Sequence, residues 1–373
     1  MQINKVIVAP DSFKGSLTSK QAANIITEEV TAAFPACFVL KMPVADGGEG
    51  SVDTILEAIG GERHHATVLS PDERQISAAY GITADGTAIL EMAQSSGITK
   101  QIGLHPMTSS SYGFGQLILD ALDRGARRFV LCIGGSATTD GGCGMAAALG
   151  FRFLDVNGGS FVPCGATLGK VVRIDPNCVD KRISESSFTV MCDVDNPLYG
   201  DNGAAHIYSP QKGADYEQVH ALDEGLRRLS GVLLEQFGES YADVPGAGAA
   251  GGLGAGCMAF LGAKLMSGID AILQLCDFEK NVAGADLVIT GEGKLDVQSF
   301  SGKVLSGLLR RAGSVPVWSI CGSCECDDEP IRESGIVVFS MSEDVSFKES
   351  MSAPEKYLRI AAQKAINHVR NLL

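Results

Sequence analysis

Five short stretches follow an apolar run with a carboxylate that has glycine nearby. They carry Asp11, Asp46 with Glu49, Asp140, Asp193 with Asp195, and Glu292 with Asp296, and Lys14, Lys212, Lys294 and Lys303 accompany several of them. Taken singly, each is an ordinary turn, because Asp and Gly favour turns whatever the function. Taken together they suit one kind of chemistry. Gathered carboxylates need a cation, Mg²⁺ or a substrate ammonium. Lysines among glycine N–H groups suit phosphate. Metal ligands, charge neutralisation and a base that orients a hydroxyl are what phosphoryl transfer requires.

The densest of these turns is Gly134–Gly144, Gly-Gly-Ser-Ala-Thr-Thr-Asp-Gly-Gly-Cys-Gly. It follows the apolar run Phe129–Ile133 and precedes a helix expected over Met145–Leu149. Backbone N–H groups in such a strand-to-helix turn can surround an anion. Asp140 in its middle reads either as a helix-start cap or as a partner of a metal ligand.

Other signatures are absent from the sequence. There is no G-x-x-x-x-G-K-[ST] loop, and Gly302-Lys303-Val304 lacks both the upstream glycine and the hydroxyl. No G-x-G-x-x-G links the first strand to the first helix, which disfavours an NAD-dependent dehydrogenase. The six histidines form no zinc motif, and Cys321, Cys324 and Cys326 lack a second Cys/His pair at zinc spacing. A binding protein for metal or a sugar acid, without turnover, remains an alternative on residues alone.

The formal net charge of −14 opposes nonspecific nucleic-acid binding and an anionic membrane surface. It leaves room for a small anion where lysines and N–H groups converge. The uncharged run Val244–Ala263 is long enough to span a bilayer, but seven of its residues are glycine, so a glycine loop entering a buried helix is expected. The first apolar run, Val6–Ala9, is too short for a signal peptide, and eleven scattered cysteines suit a reducing cytoplasm.

The elements that must position these loops follow from periodicity. Asn4–Ala9 reads as a buried parallel strand, followed by a helix with Thr18 and Gln21 at capping-box spacing that Pro35 stops. Phe38–Met42 is a second strand, Val52–Ile59 a second helix, and the βαβα opening implies a parallel sheet. His64–Leu69, Gln75–Thr83 and Thr87–Met92 look like an antiparallel meander. Val219, Leu222, Leu226, Leu229, Leu233 and Phe237 mark one face of a helix over Tyr216–Phe237. Strands at 286–290, 315–321 and 336–340 and a final helix return to the α/β pattern. The expected fold is therefore α/β: a Rossmann-like parallel-sheet domain built from both chain ends (1–62, 100–150 and 245–373), with a smaller α+β mixed-sheet domain inserted (63–99 and 151–244).

Seven blocks, in order and spanning nearly the full length, resemble the bacterial glycerate kinase type 1 family, the glycerate 2-kinases. They are Ala9–Thr18, Ala45–Gly50, Gly134–Gly144, Cys192–Leu198, Pro210–Gly213, Pro245–Leu253 and Gly291-Glu-Gly. Thr139 stands where Asn is expected, Lys294 where Arg is usual, and Ser301 and Leu305 where His and Pro are common. The resemblance implies a two-domain α/β fold and ATP- and Mg²⁺-dependent phosphorylation of D-glycerate by a cytoplasmic enzyme whose partners are small molecules; the C2 hydroxyl is the expected acceptor, with the same reaction at C3 as the alternative. It allows a homodimer.

Under that reading Asp193 is expected to orient and deprotonate the hydroxyl, with Lys14 and Asp46 also catalytic. Ser12, Asp11, Lys212 and Asp195 are expected on the substrate. Gly134, Gly135, Ser136, Asp140, Gly141, Gly251, Gly252 and Lys303 are expected at the nucleotide phosphates, and Glu292, Asp296 and Glu49 at Mg²⁺.

Overall fold

A computed structural model describes residues 3–13, 15–42, 44, 50–300, 304–326 and 328–372. Contacts divide the chain into a terminal unit (Met1–Asp46, Glu57–Ile59 and Gly268–Leu373) and a central unit (Gly47–Leu56 and Gly60–Ser267). In chain order the strands begin with β1 (Lys5–Pro10), β2 (Phe38–Lys41), β3 (Gly61–Leu69), β4 (Gln75–Thr83), β5 (Thr87–Glu91) and β6 (Arg128–Cys132). Next come β7 (Arg152–Leu154), β8 (Ser160–Phe161), β9 (Arg173–Asp175), β10 (Ser187–Met191) and β11 (Lys264–Met266). The last are β12 (Leu287–Leu295), β13 (Val317–Cys324) and β14 (Val337–Ser340).

The terminal unit is a five-stranded sheet in the order β14-β13-β12-β1-β2, parallel throughout. Val6 and Val8 of β1 join one core with the helices Ser19–Ala33 and Pro354–Leu372. Ile7 between them, fully buried, points to the other face, as alternation along a strand demands. The first helix begins with the expected capping box: Gln21 N–H donates to Thr18 Oγ1 and Thr18 N–H to Gln21 Oε1. The strand order reverses between β1 and β12, and open α/β sheets bind ligands at the carboxyl ends of strands at such a switch.

The central unit holds a six-stranded mixed sheet, β11-β10-β6-β5-β4-β3. Strands β11, β10, β6 and β5 run parallel, and β4 and β3 continue antiparallel. A small antiparallel sheet, β8-β7-β9, belongs to the same unit. The helix Tyr216–Phe237 forms where its apolar face was expected and buries Leu222, Leu226, Leu229 and Leu233 in the core.

This pairing corrects the expected boundaries. β6, which leads into Gly134–Gly144, pairs with β5 and β10 and not with the β1 sheet. Segments 100–150 and 245–267 therefore belong to the central unit, which is the larger of the two. Both sheets offer parallel strands with chemically similar apolar edges, so strand texture alone does not choose between them.

The glycine tract after Val244 is a spacer. Gly246 and Gly248 press on the segment 194–197: a Cβ on Gly248 would lie 2.1 Å from the Pro197 carbonyl oxygen. Gly251, Gly252 and Gly256 press on the turn that contains Asp140: a Cβ on Gly251 would lie 2.0 Å from the Thr138 carbonyl oxygen, and one on Gly256 would lie 2.5 Å from that of Gly141. Three successive residues, Ala250, Gly251 and Gly252, take left-handed φ angles of 53°, 70° and 89°, kinking the helix Ala249–Leu261 at its start. The Gly251→Ala variant faces both a clash and an unfavourable φ. It is expected to lose about 3 kcal/mol or more of stability, read as a large fall in Tm or loss of soluble protein; a Tm within about 2 °C of the parent would contradict the packing.

Candidate active site

The parallel register of the central sheet aligns Glu91, Cys132, Met191 and Met266 as the last residues of β5, β6, β10 and β11. The loops that follow them therefore leave from one edge. After β6 comes Gly134–Gly144; after β10, on the neighbouring strand, comes the loop with Asp193 and Asp195.

Gly134 and Gly135 are exposed, and Gly135 turns the chain at φ +74°. From Ser136 to Gly144 the turn is buried. Its backbone is held by Ser96 and Ile98 of the segment after β5: Ala137 N–H donates to Ser96 O and Ile98 N–H to Gly135 O.

Asp140 is fully buried and accepts four hydrogen bonds, from Ser111 N–H (2.8 Å), Ser111 Oγ–H (2.7 Å), Gly142 N–H (3.2 Å) and Gly144 N–H (3.2 Å). Ser111 caps the helix Tyr112–Asp123, and Gly144 lies in the first turn of the helix Cys143–Ala148. Asp140 thus ties two helix starts together, which satisfies orphan N–H groups and complements both dipoles. Burial pushes its carboxyl above the usual range, and the hydrogen bonds pull against that.

Its burial corrects the expectation that Asp140 meets phosphate. The same holds for Gly141, Gly251 and Gly252: all three are buried, and Gly251 O accepts from Gly141 N–H, so the two glycine segments serve each other.

Lys212 is 2% exposed. Its Nζ donates to Ser136 Oγ (2.9 Å) and to Thr138 O (2.6 Å), so it faces the inner side of the turn and not solvent. Burial lowers its pKa to about 7, with the charge of Asp140 opposing the shift. The expected contact of Lys212 with substrate is not present in this arrangement.

Asp193 and Asp195 are exposed at the end of β10. Asn196 anchors their loop: its Nδ2 donates to Asn202 O, its carbonyl accepts from Gly248 N–H, and Tyr208 OH donates to its Oδ1. Sequence reading missed Glu91. Buried at the end of β5, it accepts a hydrogen bond from Val52 N–H (2.8 Å), anchoring the helix Ser51–Ile59 that follows the Ala45–Gly50 block. A carboxylate closing an apolar strand was the available signal.

In the terminal unit the carboxyl ends of β1 and β12 meet at the switch. Pro10 pairs with Gly291, and Asp11 N–H donates to Gly291 O. Asp11 Oδ1 accepts from Ser12 N–H at 2.6 Å, and the Phe13 ring lies 3.1 Å from where a Cβ on Gly291 would be. Glu292 Oε2 accepts from Ser299 Oγ–H, and Asp296 Oδ1 from Gln298 N–H. Cys321 lies beside Glu292 in the register, and burial holds its thiol up at about 12. Asp11, Ser12, Glu292 and Asp296 thus gather on the carboxyl side of this sheet. Lys14, Asp46, Glu49 and Lys303 lie outside the described residues. Among the described residues no three His, Cys, Asp or Glu side chains are arranged to hold a metal ion, and no helix is long and apolar enough to cross a membrane.

The chain is similar to known proteins over nearly its whole length. A model of the glycerate kinase family matches residues 6–370. The glycerate kinase of Halalkalibacterium halodurans is 44% identical over 368 residues, covering 97% of each chain. The glycerate 2-kinase of Escherichia coli K12 is 42% identical, covering 90% of each. A crystal structure from Salmonella typhimurium LT2, provisionally identified as glycerate kinase 2, superposes with a TM-score of 0.87 at 35% identity and 99% coverage of both chains. Two sheets joined in this order, the loop blocks at their carboxyl edges and the match from end to end agree: the chain belongs to the glycerate kinase family, a family of phosphotransferases.

Proposed function

We propose that the protein transfers the γ-phosphoryl group of ATP to the C2 hydroxyl of D-glycerate, giving 2-phospho-D-glycerate and ADP. The observation that carries this is the pairing of two loops on neighbouring parallel strands: open glycine N–H groups after β6 and an exposed carboxylate, Asp193, after β10. One suits phosphate, the other a hydroxyl proton. The C2 position rests on the relative from Escherichia coli that carries the name glycerate 2-kinase.

In this scheme Gly134 and Gly135 donate N–H groups to nucleotide phosphate oxygens. Asp193 accepts the proton of the C2 hydroxyl as that oxygen attacks, and Asp195 helps to hold the acid. Asp11 and Ser12 bind anionic or hydroxyl groups of the ligands at the β1/β12 switch, and Lys14 keeps the catalytic role the family resemblance implies. Asp46 and Lys303 keep the roles the family resemblance implies.

Glu292 and Asp296 fit a Mg²⁺ ion that arrives on the nucleotide, because this ion keeps several waters and takes one or two carboxylates together with phosphates. Glu49 keeps the metal role the family resemblance implies. When bound, the ion neutralises charge on the phosphates.

ADP release is expected to require both D-glycerate and Mg²⁺; release at the same rate without glycerate would contradict the proposal. Asp193→Asn is expected to cut kcat by about 100- to 10,000-fold with little change in Tm, since the side chain is exposed. Activity within about tenfold of the parent, the size of a positioning effect alone, would rule out Asp193 as the base.

A further inference from the structure

The turn Gly134–Thr139 has two sides. Its outer side carries Gly134 and Gly135, and neither N–H donates a hydrogen bond among the described residues. Its inner side is stapled to the segment Ser209–Gly213. Lys212 Nζ reaches Ser136 Oγ and Thr138 O, and Thr139 Oγ1 lies 3.1 Å from Ser209 Oγ. Gly213, at φ +95°, closes the staple where a Cβ would lie 2.6 Å from Leu104 Cβ.

An ammonium has three donors, and two are used here. Thr138 Oγ1 is buried without a partner beside the carbonyl that Lys212 binds. The staple therefore buries the Lys212 amine against the inner side of a turn whose first residues, Gly134 and Gly135, are exposed. Among the charged side chains of the described residues, Asp140 is the one that acts on it; Ser136, Thr138, Thr139 and Ser209 around it do not titrate at ordinary pH.

We infer that Lys212 is a positioning residue: it holds the turn open for a nucleotide phosphate from behind, and it takes up a proton from solvent when the phosphate settles. The inference rests on the reading that nucleotide phosphates bind this turn, and adds how that binding is coupled to pH. The physical reason is linkage. A new negative charge in front of the turn favours the charged ammonium behind it, so phosphate binding raises proton affinity and protonation raises phosphate affinity by the same factor. In the free protein burial brings the lysine down to about 7, so a large part of the population is uncharged above neutrality and available to take up the proton. Below that pH the lysine is already charged and uptake vanishes.

The test is calorimetric titration of the full-length protein with MgADP, without glycerate, in two buffers of different ionisation enthalpy. At pH 8 the wild type is expected to take up more than about half a proton per nucleotide, falling toward zero at pH 6. Lys212→Met is expected to abolish the uptake and raise KM for ATP about tenfold or more, the size of a lost charge-assisted contact, while KM for D-glycerate stays near the parent value. No uptake at pH 8 in the wild type, or equal uptake in the variant, overturns the inference; so does a variant whose defect lies in KM for D-glycerate, which would return Lys212 to the acid. If the variant does not fold, the wild-type titration decides alone. ADP binding with proton uptake but no glycerate-dependent turnover would sink the proposed reaction and leave this inference standing.

Discussion

Backbone must touch backbone at the glycine tract 246–256, and the central unit's candidate site depends on it. On one side the tract meets the segment after Asp193, on the other the turn that contains Asp140. A side chain at Gly248 or Gly251 would push these loops apart by more than either carbonyl could yield. Glycine here is a requirement of distance and not of flexibility. The kink at Ala250–Gly252 is the cost of letting a helix start in so narrow a gap, and it sits beside the loops it spaces.

The turn after β6 also buries two ionisable groups, Asp140 and Lys212, and each is held by hydrogen bonds and not by a direct ion pair. Unpaired burial would be expensive for either. Four donors around Asp140 and two acceptors around Lys212 reduce that cost. The carboxylate fixes helices and the lysine fixes the turn, while Gly134 and Gly135 stay exposed. Conformation is built below and chemistry displayed above.

Much of this organisation was legible in residue order. The capping box at Thr18 and the 22-residue helix Tyr216–Phe237 follow from spacing, because local patterns alone decide them. That Asp11 and Asp193 follow strand ends was also readable, since an apolar run that stops at a carboxylate marks where a strand gives way to a loop. Other features were not. Which sheet takes the strand Arg128–Cys132 depends on competition between similar apolar edges. Whether Asp140 caps helices or meets an anion depends on Ser111, 29 residues away in sequence. Lys212 was read as a ligand contact because a lysine in a glycine-containing loop looks the same whether its ammonium points in or out. Glu91 does not stand out within the Thr87–Met92 run, because its partner, Val52 N–H, is 39 residues earlier.

Each unit presents loops at the carboxyl edge of its parallel strands: exposed Gly134, Gly135 and Asp193 in the central unit, Glu292 and Asp296 in the terminal unit. The most direct test of this account is the proton-coupled phosphorus NMR spectrum of the product made from D-glycerate and ATP. Transfer to C2 places the phosphorus next to a single methine proton, so the account predicts a doublet for the new phosphate ester. A triplet, from the two methylene protons at C3, or no new ester at all, would contradict it.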